Sequence, residues 1–521
     1  MSRPTVPAPT PGPSPDPVAI DVEQVESVLS PGGELTRQLP TFEDRPEQRA
    51  MLRLVAEALN AGDQLLVEAG TGTGKSLAYL LPAAAWAMAN GRPVIVATHT
   101  INLQDQLLNH DLPLVKQLVG HDLRACLQKG RPNYLCRSRL EHQLGRHDLD
   151  PLHVPILARL LVWAGSTATG DRAELGLDPA EETVWRSVAA DSSGCLGERC
   201  RYAASGGCWV ARVREQAAAS HIVVANHALL ISDMLLDHRL LPPHSALIVD
   251  EAHHLEDVAT TALGSTVSSR LVRETLTQLT DEEGRGILDT IVSPGRHPSI
   301  DAATSDKVRP SATLLQAEVR EAKLACDALF DSLETFLAAH GGSESANTRI
   351  TSAVRSQPDW LLVETAWQPF DASMQALRRS LPRFVARLVA EGKEPQQSAM
   401  AIAQLQAASR ALTEHAFALQ RGLVRPSAQD VVWARRERGR GATLHLAPLS
   451  VAEALTLQLF ASQETVILTS ATLRAGGGFD YLRTRLGLPD APGHAIDSPF
   501  DYRRAVLALM PADMPEPDLP G

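Results

Sequence analysis

The sequence predicts an α/β fold built on a parallel sheet, and three observations lead there. Five short runs, "QLLVEAG", "PVIVATH", "HIVVANH", "ALIVDEAH" and "TVILTSAT", are almost unbroken in apolar residues, as strands covered on both faces must be. The first leads through a short polar turn into a helical run, "SLAYLLPAAAWAMAN", and strand and helix alternation is what parallel pairing requires. The chain has 521 residues, 44% of them hydrophobic, so it can bury a large core and, by length, form about three domains.

The elements follow in order. The opening "MSRPTVPAPTPGPSPDPV" alternates Pro with small residues, which supports neither a helix nor a strand ladder, and residues 1–18 read as a disordered tail. Residues 19–125 hold the first part of the sheet domain. A first insert, 126–219, carries clustered cysteines, and 220–257 returns to the sheet. A second insert, 258–445, is helical: Leu315, Val319, Ala322, Cys326, Leu329 and Leu333 recur at steps of three and four and draw one apolar stripe. Cys326 falls inside that stripe and reads as a small core residue. Residues 446–480 supply the last strand, and 481–521 begin a further unit. No internal repeat is evident.

Composition excludes several classes. The net charge is −12, so any nucleic acid must be held by local grooves and not by the overall field. No apolar run reaches the roughly 18 residues a membrane helix needs, and no signal peptide pattern opens the chain; a soluble, cytoplasmic, monomeric protein is expected. Six cysteines in so long a chain, three of them crowded into "GCLGERCRYAASGGCWV", suit a metal or cofactor site better than a disulfide framework.

"VEAGTGTGKSLAYLLP" is the strongest local signal. A strand ending at Glu68 runs into a loop, Gly70-Thr71-Gly72-Thr73-Gly74, and a helix opening at Lys75 and Ser76, the setting of a phosphate-binding loop. The glycines let successive N–H groups face phosphate oxygens at a helix N-terminus. Lys75 would neutralise the β and γ phosphates, and the Ser76 hydroxyl would bind Mg²⁺. Ala69 stands where the usual pattern begins with Gly. Far downstream, "SALIVDEAHHLED" delivers Asp250 and Glu251 at the carboxyl end of an apolar strand. Asp250 suits Mg²⁺ binding and Glu251 the orientation or deprotonation of an attacking water, the division of labour that phosphoryl transfer needs.

These motifs resemble superfamily 2 helicases, and in particular the iron-sulfur branch that contains XPD and bacterial DinG. Asp250 to His253 is similar to motif II of that group, with His253 carried over as its last catalytic position. "FEDRPEQRAML" resembles its adenine-contacting motif, with Arg45 and Gln48 as the matching residues; "VIVATHTINLQDQLL" resembles motif Ia, and "TVILTSATL" motif III, with Ser470, Ala471 and Thr472. The resemblance implies a RecA-like P-loop domain, broken by an iron-sulfur insert and a helical arch-type insert. It also implies ATP with Mg²⁺ as cofactor, and translocation on single-stranded DNA, 5'-to-3', with duplex junctions as partners.

Cys136 in "KGRPNYLCRSRL" joins Cys195, Cys200 and Cys208 as a set of four soft donors, which suit zinc or an iron-sulfur cluster. Structural zinc sites usually draw on close C-x-x-C pairs; here the gaps are four and seven residues with a distant fourth ligand, which favours the cluster and leaves zinc open. The resemblance implies a 4Fe-4S cluster on these four, with Cys126 outside the set as a buried or spare thiol. Arg131, Tyr134, Arg137, Arg199, Arg201, Tyr202, Trp209, Arg212 and Arg214 nearby offer phosphate and base contacts, or a solvated basic surface with Trp209 packed beneath. "WARRERGRG" is a second basic candidate, or a flexible charged loop.

No Q-x-x-G-R-x-x-R pattern, which supplies transition-state arginines in that superfamily, follows Thr472. The second RecA-like domain is therefore expected to be largely absent and this chain to be a C-terminally truncated form of low motor activity. Two other readings stand beside it: a non-motor nucleic-acid-binding module that keeps ATP and the cluster, and a zinc-stabilised ATPase with another substrate.

Overall fold

A computed structural model describes residues 17–38, 42–145, 149–191, 195–293, 300–340, 347–391, 399–437, 439, 441–500 and 507. The expected tail at 1–18, save its last two residues, and most of 481–521 beyond residue 500 lie outside the described residues.

Eleven strands run in chain order among them: β1 (Gln64–Ala69), β2 (Val94–Thr98), β3 (Ala125–Leu127), β4 (Ile222–Asn226), β5 (Ala246–Asp250), β6 (Ser265–Ser268), β7 (Asn347–Arg349), β8 (Asp430–Glu437), β9 (Gly441–Pro448), β10 (Thr465–Ser470) and β11 (Gly493–Ile496). The chain divides into two compact units, one of residues 1–128, 216–256 and 452–521, the other of 129–215 and 257–451.

The first unit is the parallel sheet the sequence predicts. Its order is β11-β1-β10-β5-β2-β4-β3, and every pair is parallel. The five apolar runs are β1, β2, β4, β5 and β10, and the central β2, β5 and β10 are buried along their whole length. Helices Pro46–Ala61 and Lys75–Asn90 lie on the sheet, and Met51, Leu52, Val55, Leu59, Tyr79 and Trp86 join one core with Val67, Val96 and Ile248. Two edge strands, β3 and β11, carry no apolar run: each is three or four residues long and partly exposed. Register fixes the site, because Glu68 pairs with Ser470 and Thr469 with Asp250. The carboxyl ends of β1, β10 and β5 therefore stand side by side, where ligands bind in open α/β sheets.

In the second unit, the described part of 129–215 has a small core of its own around Tyr134, Leu140, Leu157, Leu160, Trp185 and Trp209. The region 257–451 holds three long helices, Ala302–His340, Trp360–Glu391 and Ala399–Leu419. All six residues of the predicted stripe are buried on the first of them, Cys326 at 0% exposure. This insert is not helical alone. A four-stranded antiparallel sheet, β6-β9-β8-β7, accompanies the helices. The run "WARRERGRG" is accordingly no flexible loop: Trp433 to Glu437 belong to β8, and the Trp433 ring stacks on His445 at 5.1 Å and 8°. Residues 438 and 440 of that run lie outside the described residues. β9 alternates buried and half-exposed positions, the period of a half-covered strand. No helix among the described residues is long and apolar enough to cross a membrane.

Candidate active site

The loop after β1 is shaped by two left-handed glycines, Gly72 at φ 83 and Gly74 at φ 79, a conformation most side chains resist. A Cβ on Gly74 would come within 2.2 Å of Gln48 Nε2, so the helix begins under the side chain of its neighbour. Thr73 Oγ1 donates to the Gly70 carbonyl at 2.7 Å, which tightens the turn. Arg45 Nη1 donates to Gly72 O at 2.7 Å and Gln48 Nε2 to Gly74 O at 2.9 Å. Gln48 is buried, and its Oε1 accepts no hydrogen bond, an acceptor suited to an exocyclic amine. Lys75 Nζ reaches the Ala69 carbonyl at 3.5 Å, a weak contact for an ammonium.

Opposite the loop, Asp250 closes β5. Tyr79 Oη donates to Asp250 Oδ2 at 3.0 Å and the Glu251 amide to Oδ1 at 2.9 Å. Burial, reinforced by the Glu251 charge, pushes the Asp250 carboxyl up to about 6 against the pull of Lys75, Tyr79 and that amide. Glu251 sits at φ 53. A left-handed non-glycine residue of this size is strained by about 1–3 kcal/mol, and such strain collects at working sites. It turns the Glu251 side chain towards β10, where Ser470 Oγ donates to Glu251 Oε2 at 3.1 Å. His253 Nδ1 lies 2.6 Å from the same hydroxyl. Ser470 has one proton to give, so its bond to Glu251 makes His253 Nδ1 the protonated nitrogen.

Several partners were not legible as motif residues. Glu68 Oε2 accepts the amides of Leu473 and Arg474, both at 2.7 Å, and Arg474 Nε pairs with Oε1 at 2.8 Å. Burial raises Glu68, but these bonds outweigh it and hold its carboxyl below the ordinary range. Behind Asp250, His227 Nε2 bonds the Asp250 carbonyl at 2.8 Å. His99 stacks on His254 at 4.0 Å, and His254 lies 3.9 Å from His253. After β11, Ser498 Oγ donates to the Thr71 carbonyl at 3.3 Å. A Cβ on Gly72 would strike the Phe500 ring at 2.0 Å. His99, His227 and His254 lie in the quoted runs "PVIVATH", "HIVVANH" and "SALIVDEAHHLED", but their roles were not legible there.

Arg45, Gln48, residues 70–76, Asp250, Glu251 and His253 thus gather in the first unit, while Cys136, Cys195, Cys200 and Cys208 belong to the second. None of the six cysteines is in a disulfide. Cys136 caps helix Arg137–Leu144; burial raises its thiol while the amides of Arg139 and Ser138 pull it back. Cys208 stands just before helix Trp209–Ala218, Cys200 is half-buried and Cys195 exposed. The four donors are soft sulfurs, the kind a thiolate-ligated group takes, while burial leaves the Cys136 thiol above its ordinary value. No three His, Cys, Asp or Glu side chains among the described residues converge as a metal site. The nearby aromatics divide: Tyr134 and Trp209 are core residues at 4% and 3% exposure, with Arg137 over the Trp209 ring at 4.6 Å. Trp209 is therefore packed beneath the basic surface and presents no free face to a base.

A glycine loop and an Asp-Glu pair stand at the carboxyl ends of strands on either side of β10, and residues 45–144 match the family described as DEAD/DEAH box helicase. ATP-dependent helicase DinG of Mycobacterium tuberculosis (strain ATCC 25618 / H37Rv) is 33% identical over 503 residues, 92% of this chain and 67% of that protein. ATP-dependent DNA helicase YoaA of Escherichia coli (strain K12) is 30% identical over 497 residues, 94% of this chain and 70% of that protein. The chain belongs to the DinG/YoaA family of ATP-dependent helicases. The 3'-5' exonuclease DinG of Bacillus subtilis (strain 168) is 29% identical over 499 residues, and this chain spans 51% of its length. A solved structure named XPD_Helicase overlaps 88% of this chain at TM-score 0.42 and 11% identity.

Proposed function

We propose that the first unit binds and hydrolyses ATP and that the full helicase machinery uses this to move along single-stranded DNA, with duplex junctions as its substrate. The observation that carries the reading is the sheet order: β10 separates β1 from β5, so Lys75 at one carboxyl end faces Asp250 and Glu251 at another. The loop amides and Lys75 neutralise the phosphates, Arg45 and Gln48 border the base, and Glu251, aimed by Ser470, orients the attacking water and takes its proton. Ser76 and Asp250 are hard oxygen donors suited to Mg²⁺, which supplies charge neutralisation when bound. ATPase assays with and without single-stranded DNA test the reading. Glu251→Gln is expected to abolish turnover and keep nucleotide binding; turnover that survives the change removes Glu251 from the mechanism.

The same reading gives Cys136, Cys195, Cys200 and Cys208 a 4Fe-4S cluster, supported by four free soft donors in one unit and by family likeness. Protein isolated without air is expected to contain iron and sulfide; zinc without iron overturns it. A monomer in the cytoplasm with 5'-to-3' polarity completes the proposal.

A further inference from the structure

The segment that follows β11 lies against the phosphate-binding loop and belongs to none of the motifs named above. Its place is set by the sheet: Ala69 pairs with Ile496 and the Gly70 amide reaches the Ile496 carbonyl at 3.4 Å, so the chain leaves β11 beside the start of the loop. Ser498 Oγ donates to the Thr71 carbonyl at 3.3 Å and accepts the Phe500 amide at 3.3 Å, a hydroxyl turn that sets the Phe500 ring against Gly72. The approach is close. A Cβ on Gly70 would meet Ser498 Cα at 3.1 Å, and one on Gly72 would strike the Phe500 ring.

The other loop carbonyls are held in the same manner: Gly70 O accepts Thr73 Oγ1, Gly72 O accepts Arg45 Nη1 and Gly74 O accepts Gln48 Nε2. A peptide unit is planar and trans, so its C=O and N–H point to opposite sides. Each donor that fixes a carbonyl therefore also fixes the direction of the next N–H, and successive N–H groups turned to one side make an anion cradle. Ser498, by holding Thr71 O, sets the Gly72 amide. Phe500 fills the space over the bare Cα of Gly72, whose φ is 83. We propose that Ser498 and Phe500 are positioning residues for the nucleotide site: Ser498 turns the Gly72 N–H towards the phosphates, and Phe500 braces Gly72 in its left-handed form. This rests on the ATP-site reading given above.

The test is a titration of a fluorescent ADP with Mg²⁺ into the 521-residue chain, beside thermal unfolding of the same proteins without nucleotide. One hydrogen bond of ordinary net worth corresponds to about fivefold in affinity. Ser498→Ala is expected to weaken ADP binding by that factor and to keep the parent's nucleotide-free unfolding midpoint. Ser498→Thr, which retains the hydroxyl, should restore parent affinity. Phe500→Ala should weaken binding at least as much as Ser498→Ala, and Phe500→Leu less; if the Phe500 variants do not fold, the Ser498 pair decides alone. Unchanged affinity in one variant removes that residue from the role, and in both it overturns the inference. Tighter binding overturns it too, because the segment would then obstruct the site. So does a loss matched by a lower nucleotide-free midpoint and not rescued by Thr, which a merely structural role would give. A parent chain that binds no ADP overturns the ATP-site reading as well; a parent that binds, with variants that match it, overturns this inference alone.

Discussion

Glu251 is steadied by the Ser470 hydroxyl and by His253, whose Nδ1 lies 3.4 Å from Glu251 Oε2. Ser470 joins it to His253, so Ser470→Ala is expected to loosen both. General-base help is worth about 10²–10⁴-fold, and losing its aim should cost about tenfold in kcat with little change in KM; a raised KM at constant kcat would place Ser470 in binding instead. Beneath it, burial drives His227 down to about 4 from its ordinary 6.5, with His99 and His254 adding to the push against the Asp250 carbonyl's pull. Above 6.5 the ring is neutral folded or unfolded. Between 6.5 and about 4 the unfolded chain takes a proton that the folded chain refuses, so stability present above 6.5 is lost as pH falls, by roughly 3 kcal/mol in all. Asp250 acts in the opposite sense below about 6, so the comparison must be with His227→Gln. Thermal unfolding at neutral and mildly acid pH should show a smaller acid loss in the variant; equal losses would contradict the assignment. At this scale the sequence pointed to residues whose spacing suits phosphate chemistry, from Lys75 to Glu251, and the fold gathers them in one unit. The sequence could not disclose Glu68, Tyr79 or Ser498, because their roles come from pairings across hundreds of residues.

Elements were legible where burial on both faces wrote an apolar run. β2, β5 and β10 are of that kind, and the helix carrying Leu315 to Leu333 shows its buried stripe equally plainly. The edges β3 and β11, and the antiparallel sheet of the second unit, were hidden: short or half-exposed strands contribute little periodicity, and basic residues in β8 resemble a loop. Two predictions belong here. Gly74→Ala puts a side chain at φ 79 and within 2.2 Å of Gln48 Nε2; it should displace that amide and weaken nucleotide binding by about tenfold or more, since an alanine at positive φ costs upwards of about 1 kcal/mol. Binding equal to the parent would show that the loop relaxes without Gln48. Leu329, at 0% exposure in the helical core, should lose about 2–5 kcal/mol on change to Ala, read as a lower unfolding midpoint with nucleotide affinity intact.

The chain joins a parallel sheet, with the proposed nucleotide site at the carboxyl ends of β1, β10 and β5, to a second unit that carries the four cysteines. Thiol reactivity should differ from one cysteine to another. Cys126 and Cys326 are raised by burial to about 11 and about 12, so both are expected to resist alkylation at neutral pH while exposed Cys195 reacts in cluster-free protein. The proposed function depends on the carboxyl ends of β1, β10 and β5 holding a nucleoside triphosphate. The most direct measurement is equilibrium binding of Mg²⁺·ATP to the 521-residue chain beside its Lys75→Ala variant. Saturable binding that the variant loses is the predicted result. No saturable binding by the parent, or binding that survives removal of the Lys75 ammonium, would contradict the account.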